Sequence, residues 1–369
     1  MSRHKKFLWL PYLSDYKVQP KSVRFIYKGG KIKIEWNKIH SIMLYGNHVP
    51  LEQDLLESLA KHGIPVIIHR RNMHKAVWIT PSNLSNRTDL LTKQILFREN
   101  EKKRLHFVRK TLAAKFKSMS WLVPVPRKAL YRVFKIDQLR TIEANHAKQY
   151  WAQYYALLNV NSTRREKDNY LTHILDAVSK FVSAIILRWI HYHKLSPYHG
   201  FLHEPTDYPS LVYDLYEPYR GYIDKVVFDT IRSHRKEFDT ETGLLTKVIS
   251  EVKELFDTKV YVHSTRQIVT FHELLHGNVL ALRSWLLRQA YRYVIPQPDR
   301  PKGWRPIKAG YKLYGHTAGA TDFWGYAAET TENFNRRLRI QSKQRHRRTR
   351  DEIRRATGVM KINTKRNGQ

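Results

Sequence analysis

The sequence predicts an α+β chain, a small N-terminal β-rich domain followed by a larger helical one, and three observations carry that prediction. The first ninety or so residues hold short runs rich in Val, Ile and aromatics, broken by Gly, Pro and Asn. Beyond them the apolar residues recur at i, i+3 and i+4, and strand-like stretches become scarce. The 369 residues, 42% hydrophobic with 9 Trp, 22 Tyr and 14 Phe, supply a packed core, and the length suits two domains at roughly 100–200 residues each.

Taken in order, "SVRFIY", "KIKIEW", "SIMLYG", "PVIIHR" and "KAVWIT" read as strands. "YKGGKIKIEW" reads as a hairpin in which Gly29-Gly30 supplies the positive φ of a two-residue turn. One helix interrupts the strands: "PLEQDLLESLAKHG" opens on a proline and stops at Gly63. Domain boundaries follow: 1–85 β-rich, 86–100 a polar linker, 101–295 helical, and 296–369 a basic irregular extension. In the second domain, helices are expected over Ile136–Leu158, Asp168–His193 and Ser210–Arg220, and "HSTRQIVTFHELLHGNVLALRSWLLRQAYRYV" reads as an amphipathic basic helix. In the tail, Thr349 and Glu352 could form a capping box at the start of a helix that orders on DNA.

The formal charge is +34 with a pI near 10.2. A folded body this basic calls for a polyanion, and nucleic acid is the usual one; no long basic helix with a Trp/Leu face argues for a membrane surface. The absence of cysteine excludes disulfides, thiolate metal sites and a cysteine nucleophile, and fits a reducing, cytoplasmic compartment. The N-terminal apolar run is too short for a signal peptide, and "AVSKFVSAIILRWI" carries Lys180 and Arg188, so no membrane segment is expected.

Against that charge, "GFLHEPTDYPSLVYDLYEPYR" gathers Glu204, Asp207, Asp214 and Glu217 behind His203. With Ser210 as a helix cap, Asp214 and Glu217 lie three apart on one face, and two like charges so placed repel unless a cation sits between them. One imidazole and two carboxylates form a mixed N/O set that suits Mg²⁺ or Mn²⁺. Glu143, isolated in "TIEANHAKQYW", is the candidate third carboxylate. Plainer readings exist: Glu143 as a helix-dipole acid, Asp214 and Glu217 as ion-pair partners of Arg220 or lysines, His203 as a satisfied histidine. The joint pattern in so basic a chain points to metal-assisted phosphodiester chemistry.

These segments resemble the CRISPR-associated spacer-acquisition integrase family, CRISPR-associated protein one. "GFLHEPTDYPSLVYDLYEPYRGYID" resembles its histidine-carboxylate signature, "TIEANHAKQYW" its isolated-glutamate signature, and "EKDNYLTHILDAVSKFVSAIILRWIHYHKLSPYHGFLH" the helix between them. "SIMLYGN" and "LLESLAKHGIPVIIHRRNMHKAVW" resemble its N-terminal β domain. Lys194-Leu195, His173 and Gly221 depart from its usual residues, and the long basic C-terminus resembles that of casposases, transposon-encoded relatives. The resemblance implies a DNA endonuclease and integrase that joins 3′-OH ends by transesterification, with Glu143, His203, Asp214 and Glu217 as metal ligands. It implies a homodimer formed through the β domain, double-stranded DNA as captured fragment and target, and a small adaptation protein as a further partner. An inactive basic DNA-binding scaffold is the alternative of a different class.

Several basic residues are candidate DNA contacts: Lys102, Lys103, Arg104, Arg109 and Lys110 on one helix, Arg220, and Arg345, Arg347 and Arg348 in the tail. Trp9, Tyr12 and Tyr131-Arg132 could stack on frayed ends, although aromatics at such spacings more often build core. "HELLH", from His272 to His276, satisfies the literal zinc-peptidase pattern but lacks a matching third ligand downstream. A zinc site from His191, His193, His199 and His203 is opposed by Pro197 and Gly200, which break a helix there.

Overall fold

The structure is a computed structural model, describing residues 5–46, 49–71, 73, 75–81, 88–166, 168–238, 240–262, 264–265, 267–298, 309 and 311–313. Its first sheet is ordered β1 (Lys6–Pro11), β5 (Ile39–Tyr45), β6 (Val66–His69), β7 (Val77–Ile79); β1, β5 and β6 run parallel and β7 antiparallel. All seven residues of β5 are buried, as a parallel strand covered on both faces requires. An antiparallel meander of β2 (Leu13–Val18), β3 (Ser22–Tyr27) and β4 (Gly30–Glu35) lies beside it. Tyr27 pairs with Gly30, so the two-residue hairpin loop is Lys28–Gly29, one residue earlier than the sequence suggests. Helix α1 (Gln53–Lys61) presses Leu55 and Leu59 into this domain's own core. Strands β1 and β2 had no local signal. "KFLWLP" becomes a strand by lying parallel to β5, a contact more than thirty residues away.

The second domain begins earlier than the sequence suggests. The expected 86–100 linker contains helix α2 (Thr88–Glu99), with Leu90 and Phe97 in the main core and Gln94 fully buried. Helices α3 (Glu101–Ser118), α4 (Arg127–Arg132), α5 (Ile136–Leu157) and α6 (Tyr170–Tyr192) follow. Asn169 caps α6 by accepting the Thr172 N–H at 2.8 Å. Among the described residues α6 is the one helix long and apolar enough to cross a bilayer, yet 83% of that window is buried in protein. It is the central core helix, packed against β5, α9 (Glu241–Asp257), α10 (Phe271–Leu286) and α7 (Ser210–Tyr216). Arg188 from α6 donates to the His40 carbonyl of β5 at 2.6 Å, and Trp9, Met43 and Tyr45 extend the main core onto the sheet.

The helix expected over Ser210–Arg220 breaks in two. Pro218 cannot donate into the ladder, so α7 passes through a 3-10 turn at Glu217–Tyr219 into α8 (Arg220–His234). Within the stretch expected as one helix, Gln267–Thr270 is instead β9, paired with β8 (Lys259–Val262) just before that stretch, and α10 starts only at Phe271. The expected tail helix and Arg345, Arg347 and Arg348 lie outside the described residues.

Candidate metal centre

The loop from α6 to α7 is built around Asp214. This fully buried carboxylate accepts the backbone N–H groups of Phe201, Leu202 (3.0 Å) and His203 (3.1 Å), and lies 2.6 Å from His203 Nδ1. Ser210 does not cap α7; its hydroxyl accepts the Gly200 N–H and donates to the Tyr198 carbonyl, closing the loop from the other side. Arg104 and Arg140 donate to the Phe201 and Leu202 carbonyls, and both pair with Glu204. Asp207 pairs with Lys75 in solvent. Of the acids gathered in this stretch, Glu204 and Asp207 are thus bracing and surface groups. Burial opposes protonation of the His203 ring, but the Asp214 hydrogen bond and charge outweigh it and raise its pKa. Replacing Asp214 by asparagine turns an amide N–H₂ toward backbone donors. The expected loss is roughly 1.5–3 kcal/mol per charge-assisted bond broken, read by urea unfolding; an unchanged midpoint would refute the anchoring role.

Beside this loop, Lys115 from the last turn of α3 reaches between two carboxylates. Its Nζ lies 2.6 Å from Glu143 Oε1 on α5 and 2.8 Å from Glu217 Oε2 in the 3-10 turn. The Lys115 and Glu217 side chains are only 6% and 4% exposed, while Glu143 keeps 26%. Arg220 closes the far side of Glu217 with two bonds of 3.1 and 3.0 Å. Burial alone would raise the Glu217 pKa, and Arg220, then Lys115 and His203, hold it well below the carboxylate range. Stability from this pairing is therefore present above the unfolded pKa near 4.3 and is lost as pH falls through the depressed value. Asp224, one turn of α8 further on, has no such partner contact at Oδ2, and burial pushes its carboxyl up to about 7.

The sequence placed Glu143, His203, Asp214 and Glu217 together, and the structure gives them unequal parts. Asp214 spends its acceptor sites on the loop and on His203. The other three differ in their surroundings: Glu217 is buried and held by Lys115 and Arg220, Glu143 is partly exposed and bonded to Lys115, and the His203 side chain, bound to Asp214 through Nδ1, is a third exposed. Two carboxylates and one imidazole suit Mg²⁺ or Mn²⁺, and a ligating imidazole commonly has its other nitrogen bound to a carboxylate, as Asp214 binds Nδ1 here. Among the described residues no three His, Asp or Glu side chains stand at ready-made metal spacing, and the Lys115 ammonium lies between Glu143 and Glu217.

Among the described residues the other histidines bring no third potential metal ligand together. His193 Nε2 lies 2.7 Å from His276 Nε2, and His199 bonds Ser196. His272 and His276 point into the core against His40 and Trp189, and Glu273 completes a capping box with Thr270. Replacing Glu273 by alanine should cost about 1 kcal/mol as a lost cap, with no response to added zinc in a melting curve.

The basic candidates divide likewise. Lys102 is exposed and Lys103 lies 3.7 Å over the Phe97 ring. Arg104 and Arg220 are committed to Glu204 and Glu217, and Arg109 donates to the Leu130 and Val133 carbonyls. Burial first, then Arg292 and Arg109, lower the Lys110 pKa. Trp9 is core and Tyr12 is 37% exposed. Sequence reading missed Lys115 and Arg140. It also missed the full extent of a surface around α4, where Tyr131 (57%) and Phe134 (72%) stand exposed among exposed Arg127, Lys128, Arg132 and Lys135.

Residues 14–252 match the family model described as CRISPR associated protein Cas1. The CRISPR-associated endonuclease Cas1 of Thermotoga maritima is 24% identical over 288 residues, covering 72% of this chain and 88% of that one. A solved Cas1 structure from Thermotoga maritima superimposes with a TM-score of 0.63 at 18% identity, covering 76% of this chain and 96% of its own. A casposase bound to integration product superimposes with a TM-score of 0.67 at 18% identity, covering 82% and 96%. With residues 14–252, more than half of its length, matched by the family model, the chain belongs to the Cas1 family.

Proposed function

We propose that this protein is a metal-dependent DNA integrase and endonuclease that joins the 3′-OH end of a captured duplex to a target strand. One observation carries the reading: two carboxylates, Glu143 and Glu217, share the Lys115 ammonium near an imidazole whose Nδ1 is fixed by Asp214. The relatives named as an endonuclease and as a casposase bound to integration product support the reaction class. The net charge of +34 supports DNA as the partner.

Glu143, Glu217 and His203 Nε2 would hold Mg²⁺ or Mn²⁺, which polarises a phosphate and steadies charge on a leaving oxygen when bound. In the transfer, the 3′ oxygen of the incoming strand bonds to phosphorus and the target strand's 3′ oxygen leaves. The proton lost by the attacking hydroxyl passes to solvent, and the leaving oxygen takes one up. Arg220 fixes the Glu217 carboxylate, and Asp214 fixes the tautomer and direction of His203. The α4 surface, braced by buried Leu130 and by Arg109, offers cations for phosphates and Tyr131 and Phe134 for unpaired bases. Assembly as a homodimer, and work beside a small adaptation protein, belong to the same proposal. A captured fragment or a transposon end would be joined by the same chemistry.

The test is strand transfer into supercoiled plasmid from labelled duplexes with free or blocked 3′ ends, with Mn²⁺ or with EDTA, and with or without a small CRISPR adaptation protein. Label should enter plasmid only with a free 3′-OH and metal. DNA binding without joining under every condition would leave a scaffold in place of the integrase.

A further inference from the structure

Lys115 is a lysine where a basic helix has no need to bury one. It lies on the inner face of α3 with Phe107, Val108, Thr111 and Leu112, all buried, and its only 6%-exposed side chain ends between two carboxylate oxygens. Helix α8 can come close enough to deliver Glu217 because Gly221 lies against the α3 backbone. A Cβ there would sit 2.3–2.5 Å from Ser118 and Met119 main-chain atoms. The local charge is already near balance without any added ion. Glu143, Asp214 and Glu217 face Lys115, Arg220 and the His203 ring. Arg220 grips Glu217 with two parallel bonds and is tied in place, whereas Lys115 is a single ammonium on a four-carbon stem. A divalent ion entering this buried cluster would double the like charge facing Lys115 and would compete for the same Glu143 and Glu217 oxygens.

We propose that Lys115 is a resident counter-cation whose pairing with Glu143 and Glu217 excludes divalent metal, so that metal enters only as the Lys115 ammonium swings out. The proposal rests on the metal-dependent reading above. It differs from a plain structural salt bridge in one respect: a structural bridge stays closed when the metal arrives, and a resident counter-cation opens.

The test uses the full-length wild-type protein. Brief acetylation with an amine-reactive reagent, read by peptide mass spectrometry, reports the exposure of each lysine. In EDTA, Lys115 should be strongly protected relative to exposed Lys102. With saturating Mn²⁺, its labelling should rise toward that of Lys102, while Lys102 stays unchanged. In parallel, Mn²⁺ binding by titration calorimetry is compared with Lys115→Met, which removes the ammonium and keeps the apolar stem. The variant should melt lower than wild type in EDTA, gain more from Mn²⁺, and bind it about tenfold more tightly or better, each tenfold being 1.4 kcal/mol. Persistent protection of Lys115 in protein that demonstrably binds Mn²⁺, or equal or weaker binding by a folded Lys115→Met, overturns the exchange and leaves the metal site standing. Absence of Mn²⁺ and Mg²⁺ binding in wild type overturns the metal reading and the exchange together. Should Lys115→Met fail to fold, the wild-type labelling decides alone.

Discussion

Exchanging Glu143 for glutamine should lower strand joining by on the order of 10³-fold or more while the fold survives. On the proposed metal reading, losing Glu143 as a ligand would forfeit a metal contribution of several kcal/mol to the transition state, at about 1.4 kcal/mol per tenfold in rate. The ground for the second half is local. Glutamine keeps an amide oxygen that can accept from Lys115, and Lys115 still has Glu217 at 2.8 Å. The side chain is also the most exposed of the three carboxylates, at 26% against 4% for Glu217 and 0% for Asp214. Plasmid joining and a melting curve, run on the same preparation, separate the two halves. Joining within tenfold of wild type would remove Glu143 from the metal set.

Gly221→Ala is the larger structural blow. The new methyl group would stand 2.3 Å from the Ser118 carbonyl carbon, 2.4 Å from its oxygen and 2.5 Å from the Met119 nitrogen. These are backbone atoms of another helix, so no side-chain rotation can make room. Helix α8 has to slide off α3, breaking the Gly221 N–H bond to the Ser118 hydroxyl and the Trp121 bond to the Gly221 carbonyl, both 3.1 Å. Overpacking of a rigid contact costs up to about 3 kcal/mol or somewhat more. The same slide draws Glu217 away from Lys115, so joining should fall with stability. Measured unfolding within 1 kcal/mol of wild type would show that the two helices yield more easily than their separation indicates.

Much of this centre was legible because acids are conspicuous in a basic chain. His203, Asp214 and Glu217 stood out by their crowding and Glu143 by its isolation, and their family resemblance is what joined residues sixty apart. What spacing could not tell was direction. Asp214 and Glu217 are three apart on one face, yet the loop returning through Phe201–His203 claims the first, while Lys115 and Arg220 claim the second. Lys115 was hidden by its company, one cation among many in "EKKRLHFVRKTLAAKFKS". A signal was available: it continues the stripe of Phe107, Val108, Thr111 and Leu112, and a lysine on the apolar face of a helix has to have a buried partner. "HELLH" misled in the other direction, since its glutamate serves the helix start. β8 (KVYV) and β9 (QIVT) carry a strand signal in their Val, Ile, Tyr and Thr that was overlooked beside the long helical pattern after them, whereas β1 is fixed by its parallel pairing with β5.

Helix α6 has a consequence for how the protein is made. Its residues leave the ribosome as one of the most apolar segments of the chain, bordered by polar sequence and long enough to pass for a membrane anchor. Two of the surfaces that shelter it, α9 and α10, are not complete until Leu286, more than ninety residues later. At synthesis rates of roughly 5–20 residues per second, that interval lasts about 5–20 s. The N-terminal sheet, which meets α6 through β5 and β6, is already finished when α6 emerges. The order of the two domains thus gives the nascent core helix a place to rest, and a chain deprived of its first domain would leave the face that meets β5 and β6 open to chaperones, to aggregation and to the translocation machinery.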